Sequence, residues 1–130
     1  MQYLLMIYVN EAGFSQLTKE QQEQGTVVYA AYTEALKKAG AFVGSNRLRP
    51  TSTATTVRVT DGKSQVLDGP YVDSKEQLGG YYLIDVADLD AAISWAARCP
   101  GASHGTVEVR PVWYMNPGET CQAGQSAVTA

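Results

Sequence analysis

A single histidine and two cysteines leave this 130-residue sequence almost nothing from which to build a metal site. Zinc centres need three or four Cys, His or carboxylate ligands at close spacing, and no such spacing occurs, so neither a metal nor a cofactor is expected. Cys99 falls at the end of a helical pattern and Cys121 in a polar tail, and both read as free thiols. Positive charge is scarce too. Ten Lys and Arg against 13 Asp and Glu leave a net charge of −3 and a pI near 5.0, which argues against a nucleic-acid partner. No apolar run approaches the ~20 residues that cross a bilayer. The opening MQYLLMIYVN has no basic leader and reaches Asn10-Glu11 too soon for a signal peptide, so the expectation is a cytoplasmic protein without a membrane partner. A Gly-rich phosphate loop and a nucleophile elbow are missing as well.

What is present is an ordinary globular composition, 45% hydrophobic and 18% charged, in a chain long enough for one domain and one core. That domain is expected over residues 1–115, followed by a small, polar tail over 116–130. Gln2 to Val9 is apolar on both alternating faces, with Tyr3, Leu5, Ile7 and Val9 on one and Leu4, Met6 and Tyr8 on the other. A strand half exposed to water would alternate, so this one reads as central and covered on both sides.

Asn10 to Leu17 reads as a loop. Thr18-Lys19-Glu20-Gln21 has the form of a capping box and opens a helix to about Ala39, closed by Gly40, with Val28, Tyr32, Ala35, Leu36 and Ala39 on one stripe. Ala41 to Leu48 is a strand stopped by Arg49-Pro50. Thr53 to Thr60 and Ser64 to Leu67 form a hairpin around Asp61-Gly62. Gly80 to Val86 is the next long strand. Ala87-Asp88 caps a second helix over Leu89 to Arg98, with Leu89, Ala92, Ile93 and Ala96 inward, and Thr106 to Arg110 is the last strand. The order predicts an α+β domain of the ferredoxin-like, split βαβ kind, with both helices on one face of an antiparallel sheet. Two helices cannot cover both faces of the first strand. A second copy is therefore expected on the other face, giving a homodimer whose facing sheets enclose a cavity.

The densest backbone chemistry lies in DGPYVDSKEQLGGYYLIDV, residues 68–86, where Gly69-Pro70 and Gly79-Gly80 imply special backbone angles around a polar hinge. This stretch, with CPGASHGTVEVRPV near the end of the domain, resembles the YCII-related family, in particular its subgroup named for a DGPF motif, here Asp68-Gly69-Pro70-Tyr71. The resemblance runs from the first strand through Arg110-Pro111-Val112. It implies a ferredoxin-like fold in a dimeric α+β barrel and little defined chemistry: some members lie near genes for extracytoplasmic-function sigma factors, and one relative is a dehydrochlorinase. A His and Asp pair has been suggested for the enzyme-like branch, with the His on or near the first helix, where this chain has only Gln21, Gln22 and Gln24.

His104 and Asp68 are the candidate catalytic groups, an imidazole for proton transfer and a carboxylate beside a Gly-Pro turn. Each also has a structural reading, as an exposed loop histidine and as a cap for backbone N–H groups. If Val107 and Val109 face the helices, Glu108 and Arg110 face the cavity; Arg58, between Val57 and Val59, repeats the alternation. Guanidinium groups there would suit a carboxylate or other small anion, while the structural reading, which the pattern favours somewhat, is a cross-strand Arg–Glu pair on an exposed face. Tyr81 and Tyr82 point to opposite faces, one to the core and one to the cavity. Tyr82 and Tyr71 join Arg58, Glu108 and Arg110 as candidate ligand contacts. Three readings follow: a small-molecule enzyme with cofactor-free acid–base chemistry, a binding or regulatory module connected with a sigma-factor system, and a dimer whose activity lies elsewhere.

Overall fold

Because the first strand is apolar on both faces, it takes the middle of the sheet. In the computed structural model, which describes residues 1–115, β1 (Gln2–Val9) pairs antiparallel with β5 (Gln77–Asp85) on one side and with β6 (Thr106–Pro111) on the other. β2 (Phe42–Arg47) adds to the far edge of β5, giving the order β2-β5-β1-β6. Helices α2 (Lys19–Lys38) and α3 (Leu89–Arg98) supply the crossovers, and the arrangement is that of a ferredoxin-like α+β fold. The tail and Cys121 lie outside the described residues. No helix among the described residues is long and apolar enough to cross a membrane.

The helix-covered face of the sheet is read off its pairing. Leu5 stands opposite Tyr82 and Tyr3 opposite Ile84, and all four are buried with Ile7, Tyr32 and Leu36 of α2, and Ala92 and Ala96 of α3. Val107 and Val109 of β6 pack against this core, as their alternation predicts. Buried hydroxyls are matched: Tyr32 Oη donates to the Trp95 carbonyl at 2.6 Å, and the Tyr82 and Thr33 hydroxyls share a hydrogen bond of 2.7 Å. Tyr82 also sets its ring edge-on to Tyr32 at 5.2 Å between centroids.

Several expectations need correction. Residues Glu11–Ser15 form a short helix, α1, rather than a loop, because the Asn10 side chain accepts a hydrogen bond from the Gly13 N–H and so caps it. In α2 the capping box of Thr18 and Gln21 is present in both directions, but the inward stripe runs through Tyr29, Tyr32, Thr33 and Leu36, leaving Val28 and Ala39 exposed. In α3, Leu89 and Ile93 are exposed and Ala92 and Ala96 are buried. The predicted hairpin exists as β3 (Thr55–Thr60) and β4 (Lys63–Asp68), with Asp61 and Gly62 both at positive φ, 52° and 75°, as a two-residue primed turn requires. It forms its own two-stranded sheet, apart from the main one.

Burial, the largest cause for each group, pushes the hydroxyls of Tyr29, Tyr32 and Tyr82 and the thiol of Cys99 above their ordinary values of 10.0 and 9.0. The fold thus holds all four neutral and binds more protons than the unfolded chain once pH exceeds those values, so their contribution is intact at neutral pH and is lost as pH rises. The expected melting temperature is flat across neutral pH and falls from about pH 9 upward. Tyrosinate absorbance should show Tyr29, Tyr32 and Tyr82 ionising only as the protein unfolds; ionisation of these three below the unfolding transition would contradict it.

Candidate functional site

The chain leaves the main sheet at Arg47 and returns at Gln77, and what it builds in between is a cleft. Leu48 starts the excursion with its N–H bonded to the Gly79 carbonyl at 2.9 Å. Pro50 then leads a single 3-10 turn, Thr51–Thr53, before the chain enters β3. After β4, Gly69 at φ 106° turns the chain back, a backbone conformation that disfavours any residue with a Cβ, and its N–H bonds the Ala54 carbonyl at 2.7 Å. Thr56 Oγ1 donates to the Gly69 carbonyl at 2.8 Å, which closes the base of the hairpin.

A carboxylate outside this excursion holds it against the domain. Glu11, at the start of α1, accepts the Thr51 N–H at 2.9 Å with one oxygen and the Thr51 hydroxyl at 2.7 Å with the other. Its own N–H donates to Gln77 Oε1 at 3.0 Å, and Gln77 Nε2 donates to the Ser74 carbonyl at 2.6 Å. One partly buried acidic residue therefore fixes the 3-10 turn and the return strand together. Glu76, in the hinge, accepts from the Thr106 hydroxyl at 2.8 Å and ties the hinge to the start of β6.

The cleft has a volume of about 780 Å³ and is shallow, open to solvent over most of its extent. Arg49 and Arg58 supply its positive charge, and the Tyr71 ring lies at its margin. Leu48, Pro50, Val57, Pro70 and Leu78 make it apolar elsewhere, and no carboxylate or imidazole is among its lining residues. Burial of 300–1,000 Å³ by apolar walls with a few polar groups is the ordinary form of a small-molecule site.

Of the sequence-predicted residues, Arg58 and Tyr71 meet here. Arg58 is on the hairpin, not on a strand of the main sheet, so its neighbours are the cleft walls rather than Glu108 and Arg110. Asp68 ends β4 opposite Thr55, exposed and outside the lining. His104 is exposed in the turn before β6, with its N–H on the Gly101 carbonyl at 3.3 Å, and it makes no hydrogen bond to Asp68. Glu108 and Arg110 occupy the helix-free face of β6, exposed and 3.8 Å apart as an ion pair. Tyr82 is corrected outright: it faces the helices and is core, and Tyr81 takes the open face, where Asn46 Nδ2 donates to its hydroxyl at 2.7 Å. Gly79 and Gly80 have no positive φ; at Gly80 the need is spatial, since a Cβ would stand 2.9 Å from the Asn46 carbonyl oxygen. Glu11, Arg49 and Thr51 escaped the sequence reading. The Asn10-Glu11 pair and Pro50 were the available signals, as an N-cap with an acidic first turn and as a 3-10 start.

Comparison with known proteins adds a family and no chemistry. The YCII-related domain family matches residues 1–116. An uncharacterized protein of Rhizobium meliloti (strain 1021) is 39% identical over 121 residues, covering 92% of this chain and 98% of that protein.

Removing the Glu11 clamp leaves the Thr51 N–H without its charged acceptor. Glu11→Ala is expected to cost about 1.5–3 kcal/mol, the range for hydrogen bonds to charged groups. Urea unfolding should show a lower midpoint at unchanged slope; a midpoint equal to that of the wild type would mean that the clamp is a surface contact only.

Proposed function

Since the chain belongs to the YCII-related family, and the family carries no chemistry with it here, we propose from the chain's own geometry that it is a homodimeric protein binding a small organic molecule in the cleft at the hairpin base. The observation that carries this reading is the convergence of Arg49, Arg58 and Tyr71 on one apolar-walled hollow whose 3-10 turn is fixed by a charged clamp. A site held to shape before its ligand arrives loses less freedom on binding. Acid–base turnover draws less support: the cleft lining is guanidinium, hydroxyl and hydrocarbon, and Asp68 and His104 stand outside it.

The dimer rests on the other face of the sheet. Leu4, Met6, Tyr8, Tyr81 and Leu83 form a half-buried apolar surface with no helix of the described residues over it. A second copy laid across it would bury both such surfaces at once by two-fold symmetry. The alternative, a regulatory module that acts through a protein partner such as a sigma-factor system, draws on a different observation. Val57, Val59 and Val66 are 60–66% exposed on a hairpin that no other strand supports.

Two measurements test the proposal. Light scattering should give twice the 14.0 kDa chain mass, falling to the monomer in Leu83→Asp; a monomeric wild type would overturn the dimer. A thermal-shift screen of small metabolites should yield compounds whose effect disappears in Arg58→Gln. A ligand at a hundredfold over its Kd adds about 2.7 kcal/mol, a readily seen rise in melting temperature. Stabilisation only by compounds indifferent to Arg58 would move the search to protein partners.

A further inference from the structure

We propose that the molecule held in this cleft is a carboxylic acid with an apolar body, its carboxylate between Arg49 and Arg58 and its hydrocarbon part on the wall of Leu48, Pro50 and Leu78. The proposal rests on the reading of the cleft as a ligand site and names the chemical class that site would take.

The arginines of the chain fall into two groups. Arg47 lays its guanidinium over the Phe14 ring at 5.0 Å, Arg98 over the Trp95 ring at 4.2 Å, and Arg110 pairs with Glu108. Each of these three finds an aromatic face or a carboxylate within its own chain. Arg49 and Arg58 have neither among the described residues, and these two are the ones that line the cleft. Two arginines line one hollow whose lining includes no acidic residue, and the neighbouring Glu11 carboxylate is already committed to Thr51, so a ligand anion is the partner these arginines lack.

The remaining lining residues narrow the anion. The hydroxyls of Thr51, Thr53 and Thr56 are already given to Glu11, the Pro50 carbonyl and the Gly69 carbonyl. Tyr71, 75% exposed, and Thr55 keep their hydroxyls available as further donors. No lysine and no glycine-rich run of N–H groups is present to cradle a phosphate. A planar carboxylate matches the guanidinium fork, and about 780 Å³ with aliphatic and proline walls accepts more than a two-carbon acid.

Titration calorimetry on the full chain at low ionic strength tests this with phenylacetate and hexanoate, against phenylacetamide, acetate and inorganic phosphate. Phenylacetate or hexanoate should bind, with the amide and acetate at least tenfold weaker. Arg49→Gln and Arg58→Gln should each weaken binding at least tenfold with no change in melting temperature, because both side chains are exposed. Arg58→Lys, which keeps the charge and loses the fork, should fall between. Phosphate binding more tightly than the acids, or the amide binding as well as the acid, would overturn the carboxylate while leaving the cleft as a site. Acid binding that is unchanged in both glutamine variants would place it elsewhere and overturn the inference. No binding by any probe, together with no Arg58-dependent compound in the thermal-shift screen, would overturn both; an Arg58-dependent neutral compound would overturn this inference alone.

Discussion

A strand that is apolar on both faces constrains everything around it. β1 can sit only where it has a hydrogen-bonded neighbour on each edge and a cover on each face, and β5 and β6 meet the first demand. The helices meet half of the second: Leu5, Ile7 and Tyr3 go under α2 and α3 with Tyr82 and Ile84. The half left over, Leu4, Met6 and Tyr8 beside Tyr81 and Leu83, is the reason a second copy enters the proposal at all. The fold, and the assembly proposed for it, thus trace to one eight-residue pattern.

The cleft obeys a different logic. It owes its shape to polar bonds at fixed points, Glu11 on Thr51, Gly69 on Ala54 and Leu48 on Gly79, rather than to core packing. Hydrogen bonds to a carboxylate hold geometry in places where apolar burial is too small to do so. The hairpin above it is correspondingly bare, with Val57, Val59, Val66 and Leu67 all at least 60% exposed. Two strands without a third have little independent stability, so the base of the hairpin must be held from below.

Local chemistry was legible in the sequence and phase was not. The Thr18–Gln21 capping box, the Asp61-Gly62 turn and the inward Val107 and Val109 could all be read because each signal is complete within a few residues. Period two placed Tyr81 and Tyr82 on opposite faces without saying which went inward; the register that sets Leu5 against Tyr82 decides it, and that register is a long-range fact. The α2 stripe slipped toward Val28 because Tyr29 buries its ring beside Cys99 and Gly101, partners more than sixty residues away. Arg58 lines the cleft because the hairpin leaves the main sheet, a position that its period-two alternation does not disclose. Arg49 and Glu11 belong to a site made of turns, where no periodicity exists to be read.

Arg47 stands opposite Gly80, so the chain departs from the sheet and rejoins it between neighbouring strands. Every residue lining the cleft except Leu78, which belongs to β5, falls within that excursion, and the four-stranded sheet draws nothing from it. The scaffold and the cleft are thus encoded in nearly separate stretches of sequence. On the proposed reading, the residues that would choose the ligand could be rewritten with the sheet and helices left as they are, because the two sets share few positions.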